Sequence, residues 1–181
     1  MRRVGRRGER RFGMKPDVVL VFAFGARWSI ANIRLVRKAE AFGKIGPPIF
    51  TQWDLPVGEG TVFFAEDVLR TRENWEEGQN LSTLDVVQAF EYVAWKKGWR
   101  KVLILAAPQH MKRCLRDARR RLLHPEISRV MPYHWTLPWV WYNTTSDPWY
   151  TRGRVRWWLR EGIIRCLPWG LYVDLADGKF G

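Results

Sequence analysis

His110, Arg113 and Asp117 lie three and four residues apart in the stretch QHMKRCLRDARRR. At about 100° per residue the three share one face of a helix, away from the Met111/Leu115 stripe. His110 and Arg113 fall on the first turn, where free backbone N–H groups and the helix dipole favour an anion. An arginine and an imidazole there make a pocket for phosphate or carboxylate. His110 could also act as a general acid or base. The same residues would serve structure alone if His110 capped the turn and Arg113 paired with Asp117 on the surface.

The segment that must position them is a strand followed by a helix. Lys101 to Ala107 is a continuous apolar run, and Pro108 turns it into a basic amphipathic helix. That helix should bury Met111, Leu115, Ala118 and Leu122, with His124-Pro125 as its stop. Upstream, Asp17 to Phe24 (DVVLVFAF) has no period of two, as expected of a strand covered on both faces in a parallel sheet. Gly25 ends it, and Ser29 caps a helix reaching about Phe42. Ile30, Ile33, Leu35, Val36, Ala39 and Phe42 give that helix its apolar spacing. Ile49 to Trp53 reads as a second strand ending at Asp54, and Thr61 to Leu69 as a third strand or an excursion. Ser82-Thr83-Leu84-Asp85 opens a helix with a weak capping box, burying Val86, Ala89, Phe90 and Val93 before Gly98. Ser128 to Trp135 is a last strand broken by Pro132, and 137–154 is irregular. Arg154 to Cys166 is a final helix with Val155, Trp158 or Leu159, and Ile163 expected inward.

This alternation predicts an α/β domain with a mainly parallel sheet. Ligands bind such sheets beyond the carboxyl ends of the strands, near a change in strand order. That places Gly25, Asp54, Ser82, Thr83, Asp85, His110 and Arg113 along one edge. Ser82 and Thr83 could offer hydroxyls to the crevice, although capping also accounts for them. Asp54 could bind a ribose or a metal, or accept a proton, or simply complete a turn. No G-x-G-x-x-G, Walker A or G-x-S-x-G sequence occurs, and no His, Cys or carboxylate cluster has zinc spacing, so no metal is expected.

A chain of 181 residues with an apolar fraction of 46% fits one domain with a real core. Residues 1–15 are expected to form a basic disordered arm and 16–181 a single domain with a Trp-rich C-terminal segment. The formal charge of +13 favours polyanions or an anionic membrane surface. Six Arg and one Glu within residues 1–13 give the arm +5 of that charge. Seven of the twelve Trp lie between Trp135 and Trp169. Cys114 and Cys166 have no metal-ligand or C-x-x-C spacing and are expected to be reduced and mostly buried. The run VVLVFAFGA behind Arg10-Arg11-Phe12 is broken at Gly25 and Arg27, so neither a leader peptide nor a membrane span is expected. The expected location is the cytoplasm, with peripheral contact with an anionic membrane as an option.

These segments, in this order, resemble the YdcF-like family, which is related to the SanA and ElyC envelope proteins. DVVLVFAFGA is similar to the family's opening strand and turn, and Arg34 or Arg37 to its helix arginine. Ser82-Thr83-Leu84-Asp85-Val86 looks like its middle motif, with Asp85 and Val86 in place of Glu and Asn. VLILAAPQHMKR looks like its late motif, with His110 and Arg113 in register, and LREGIIRCLPWGLY like its final helix. The opening turn has one glycine where the family has several, and Gln52-Trp53-Asp54 stands where Ser-Gly-Gly is usual. The resemblance implies a three-layer α/β/α, Rossmann-like fold, a link to cell-envelope and polyprenyl-lipid metabolism, and S-adenosylmethionine as a ligand to consider. The function expected is binding of a small anionic or phosphorylated ligand through Gly25, Arg34, Asp54, Ser82, Thr83, Asp85 and Arg113, with His110 as the catalytic candidate. Whether a reaction follows stays open. The alternative is a nucleic-acid-binding module using the basic arm and Lys112, Arg116, Arg119 and Arg120.

Overall fold

The computed structural model describes residues 15–25, 27, 29–44, 46–71, 81–122, 127, 129–134 and 152–176. The basic arm, most of the irregular 137–154 stretch and the His124-Pro125 stop lie outside them. The described residues form a three-layer α/β/α Rossmann-like fold on a five-stranded, all-parallel sheet. The strands are β1 (Val18–Val21), β2 (Ile49–Thr51), β3 (Val62–Phe64), β4 (Lys101–Leu105) and β5 (Arg129–Pro132), in the spatial order β3-β2-β1-β4-β5.

Both faces of the sheet are covered, which is why its strands read as unbroken apolar runs. Val19, Val21, Ile49, Leu103 and Leu105 pack under α1 (Ile30–Gly43) through Leu35 and Ala39. Val18, Leu20, Phe50, Val102 and Ile104 face α2 (Ala65–Leu69), α3 (Thr83–Lys97) and α4 (Pro108–Arg121). On that side Val86, Ala89, Phe90 and Val93 of α3, Met111 and Ala118 of α4 and its cap residue Leu122 are buried, as their spacing predicts, whereas Leu115 is half-buried and Cys114 takes the fully buried place beside it. The 61–69 stretch, expected as a third strand or an excursion, is a short strand and then a helix that the spacing does not predict. Three residues pair as an edge strand, and the chain then turns at once into α2.

The helix ends follow local chemistry. Ser82 Oγ accepts the Asp85 N–H and the Asp85 carboxylate accepts the Ser82 N–H, so the capping box is complete. Gly98 ends α3 with φ 67°, a left-handed conformation that costs glycine little. Pro108 fills the first position of α4, where a missing N–H costs nothing. The helix expected over Arg154 to Cys166 forms as α5 (Arg154–Cys166), and after Pro168 a further helix, α6 (Trp169–Ala176), follows it.

Two faces differ from expectation. On α1, Ile30 and Ile33 are exposed and the polar Asn32 is fully buried. On α5, Val155, Trp158, Leu159 and Ile163 face solvent, whereas Trp157, Glu161 and Ile164 are buried. The cause is the surface α5 meets: the polar face of α4 and the aromatic end of β1, not an apolar layer. Of the two cysteines, Cys114 is buried, Cys166 is exposed, and both are free thiols.

Candidate functional site

Strand order changes direction between β1 and β4. From β1 the chain steps outward through β2 to β3, returns to lay β4 on the other side of β1, and continues to β5. The crevice of a doubly wound sheet opens at that point, beyond the carboxyl ends of β1 and β4. Here it is bounded by the turn after β1, the start of α3 and the first turn of α4.

The turn after β1 is held by a side chain absent from the expected set. Asn32 Oδ1 accepts the Phe24 N–H at 2.7 Å, and its Nδ2 donates to the Gly25 carbonyl at 3.5 Å. Ser29 Oγ donates to the Phe24 carbonyl and accepts the Asn32 N–H. Gly25 itself has φ 72°, so a side chain there would strain the turn. Asn32→Ala removes the buried bond to Phe24 and the half-buried one to Gly25 and is expected to cost about 1–3 kcal/mol, read as a lower urea midpoint at unchanged slope.

His110 is buried in an aromatic cage. Its ring lies edge-on to Phe22 (6.4 Å between centroids) and to Trp157 of α5 (5.5 Å), and tilted against Phe24 (6.1 Å). Nε2 is 3.4 Å from Thr83 Oγ1, and Nδ1 has no hydrogen-bond partner among the described residues. Burial holds the imidazole well below its usual pKa, and the charges of Arg113 and Arg160 push the same way. It is therefore neutral at pH 7, able to donate through one nitrogen and accept through the other.

One turn further, Arg113 is also buried, but its partner is not Asp117. Arg113 Nη1 donates to Glu161 Oε1 on α5 at 2.8 Å, and its guanidinium lies 5.2 Å from the centre of the Trp157 ring. Asp117 accepts from Tyr172 Oη on α6 at 2.6 Å and from Arg116 Nε at 2.9 Å. So the His110–Arg113–Asp117 face is not a surface ion-pair stripe. It is the floor on which α5 and α6 dock. Burial raises the Asp117 carboxyl against the opposing pull of Tyr172 and Arg116, and it raises the Tyr172 phenol above its ordinary value.

The other expected residues divide. Thr83 is buried in contact with His110, and the Gly25 turn adjoins the cage through Phe24. Ser82 and Asp85 bond each other in the cap. Asp54 accepts from Gln52 Nε2 at 3.3 Å, while Gln52 Oε1 accepts the Ala23 N–H at 3.4 Å, tying the β2 turn to the end of β1. Arg34 is exposed on α1, two residues beyond the inward-facing Asn32 and so on the helix's far side. The basic face of α4 is partly engaged: Arg116 lies 4.3 Å from the Tyr172 ring centre and Arg120 4.9 Å from that of Trp169. Trp157 and Glu161 were not among the expected residues. One signal was available, since Glu161 is the only acidic residue between Asp147 and Asp174 and sits in a helix rich in arginine.

Among the described residues no three His, Cys, Asp or Glu side chains gather to hold a metal ion, and no helix is long and apolar enough to cross a membrane. No family model, curated protein or solved structure matches the chain. The site geometry therefore stands alone. It comprises a neutral imidazole, one nitrogen of which has no partner among the described residues, and a buried guanidinium carrying a carboxylate, both beyond the edge of β4 at a topological switch point.

Proposed function

We propose that this chain is a cytoplasmic, YdcF-like domain that binds a small anionic or phosphorylated ligand at the carboxyl edge of its sheet. Candidates are a nucleotide, S-adenosylmethionine or a polyprenyl phosphate, with a place in envelope metabolism resting on the family resemblance. One observation carries the reading: one turn beyond His110, whose Nδ1 has no hydrogen-bond partner among the described residues, Arg113 already holds a buried oxyanion, and that oxyanion is the chain's own Glu161. A ligand phosphate or carboxylate would take the place of Glu161 on Arg113. His110, being neutral, would supply a hydrogen bond and not a charge. Trp157 would be the side chain that moves aside with α5. Gly25 and Thr83 would border the rest of the ligand.

A thermal-shift screen with ATP, S-adenosylmethionine and a short polyprenyl phosphate tests this. The expected result is that one of the three raises the melting temperature. His110→Ala and the paired change Arg113→Met/Glu161→Leu should then weaken that ligand by roughly 10- to 100-fold, the worth of a charge-assisted hydrogen bond. Circular dichroism checks that both variants are folded. Wild-type affinity in both variants would remove this site.

A further inference from the structure

α5 wears its apolar side outward. Val155, Leu159 and Ile163, at i, i+4 and i+8, are 71%, 64% and 64% exposed, and Trp158 is 47% exposed. At about 100° per residue these side chains fill an arc of roughly 140° centred opposite the buried Trp157. Cys166 and Gly162 fall inside the same arc, and both are exposed. The arginines take its two borders: Arg156 and Arg160 on one flank, Arg154 and Arg165 on the other. The only acid of the helix, Glu161, points the opposite way and is spent on Arg113. The solvent side of α5 thus carries no carboxylate. Two residues after α5, α6 adds exposed Leu171 and Leu175.

An apolar arc rimmed on both sides by long cationic side chains, with Trp at one border, suits a helix lying in a bilayer interface. The arginine stems cover the acyl boundary and their heads reach the phosphates. At 13 residues the helix is about 20 Å long, enough to lie in the interface and too short to cross. Charge selects among occupants. A second copy would set a +13 chain and an arginine-rimmed face against its like. Anionic headgroups complement the rim on both flanks.

We propose that the outward face of α5, with α6 beside it, is a docking surface for an anionic lipid bilayer. The inference does not depend on the ligand reading: its apolar residues lie on the side of α5 away from His110, and of its rim only Arg160 and Arg165 also reach Glu161.

Sedimentation of the full chain with vesicles tests it, comparing pure phosphatidylcholine with a mixture containing about one third phosphatidylglycerol. The wild type should pellet with the anionic vesicles and stay in the supernatant with neutral ones. Leu159→Asp/Ile163→Asp should lower partitioning by roughly 10-fold or more per residue. Its melting curve should be unchanged, since both side chains are exposed. Arg156→Gln/Arg165→Gln should weaken binding to the anionic vesicles as well. Equal binding to both vesicle types, or no binding to either, overturns the proposal. So does wild-type binding by the double-Asp variant, which would transfer the contact to the N-terminal arm. A wild-type dimer that the double-Asp change dissociates, with no vesicle binding, would assign the face to a second copy and overturn it too.

Discussion

Glu161→Leu is expected to destabilise the protein by about 3–5 kcal/mol, a fall in melting temperature of roughly 6–20 °C for a chain of this size. The cost arises less from the lost bond than from what it leaves behind. Arg113 is buried, its Nε already lacks a hydrogen-bond partner among the described residues, and without Glu161 it keeps a full charge. Arg113→Met should cost less, about 1–3 kcal/mol, because Glu161 retains other cations: Arg160 at 3.9 Å and Arg165, one turn on, at 4.0 Å. The double variant Arg113→Met/Glu161→Leu should return close to wild-type stability, since two well-packed apolar side chains often replace a buried ion pair without loss. Urea unfolding of the four proteins gives the coupling directly. Equal, additive losses would mean that the pair is not coupled and that α5 is held by Trp157 and Ile164 alone. The pair also links stability to binding. Glu161→Gln should destabilise the free protein yet tighten an anionic ligand, because the ligand no longer competes with a carboxylate for Arg113.

The sheet was legible because its strands are covered on both faces. VVLV and VLIL have no polar phase to misread, and each is followed by a helix whose start is written in the sequence, at Ser29 for α1 and Pro108 for α4, while Ser82 and Gly98 mark the two ends of α3. Apolar periodicity also placed the buried stripes of α3 and α4 correctly, since those helices meet an apolar sheet. It failed where a helix meets polar groups. Asn32 of α1 is buried because the turn after β1 leaves backbone N–H and C=O groups that need partners, and no apolar side chain could supply them. Apolar spacing points α5 the wrong way for the same reason. Its docking floor is His110, Arg113 and Asp117, so the side that fits is Trp157 and Glu161, and the apolar arc is left outside. The candidate residues were likewise half legible. His110 and Thr83 meet as the edge rule implies, but the partner of Arg113 lies 48 residues away on an element whose inward face the spacing conceals.

The buried imidazole should make stability fall with acid in a way that one substitution can isolate. His110 has its pKa held well below 6.5 by burial, with Arg113 and Arg160 adding to the effect. Below 6.5 the unfolded chain therefore takes a proton that the folded chain refuses. Protons bind the unfolded state in excess, and stability is lost as pH drops, by about 1.4 kcal/mol for each pH unit until the folded group itself titrates. Above 6.5 this contribution is fully present and flat. Asp117 and Glu66 act in the opposite sense. Burial raises both carboxyls, so the folded state keeps their protons longer and gains stability as pH falls through those raised values. They are shared by wild type and variant and cancel in a difference. In His110→Phe/Thr83→Val a phenyl ring enters a cage of Phe22, Phe24 and Trp157, and the hydroxyl that faced Nε2 is removed with it. The wild type should then lose about 1–2 kcal/mol relative to the variant between pH 6.5 and 5, measured by urea midpoints across that range. Parallel curves would place His110 in water, contrary to the cage. Ligand binding gives the same measurement a second use. A phosphate dianion in place of the Glu161 carboxylate on Arg113 adds negative charge near the imidazole and favours its protonated form. Saturating ligand should therefore flatten the wild-type slope and leave the variant's unchanged.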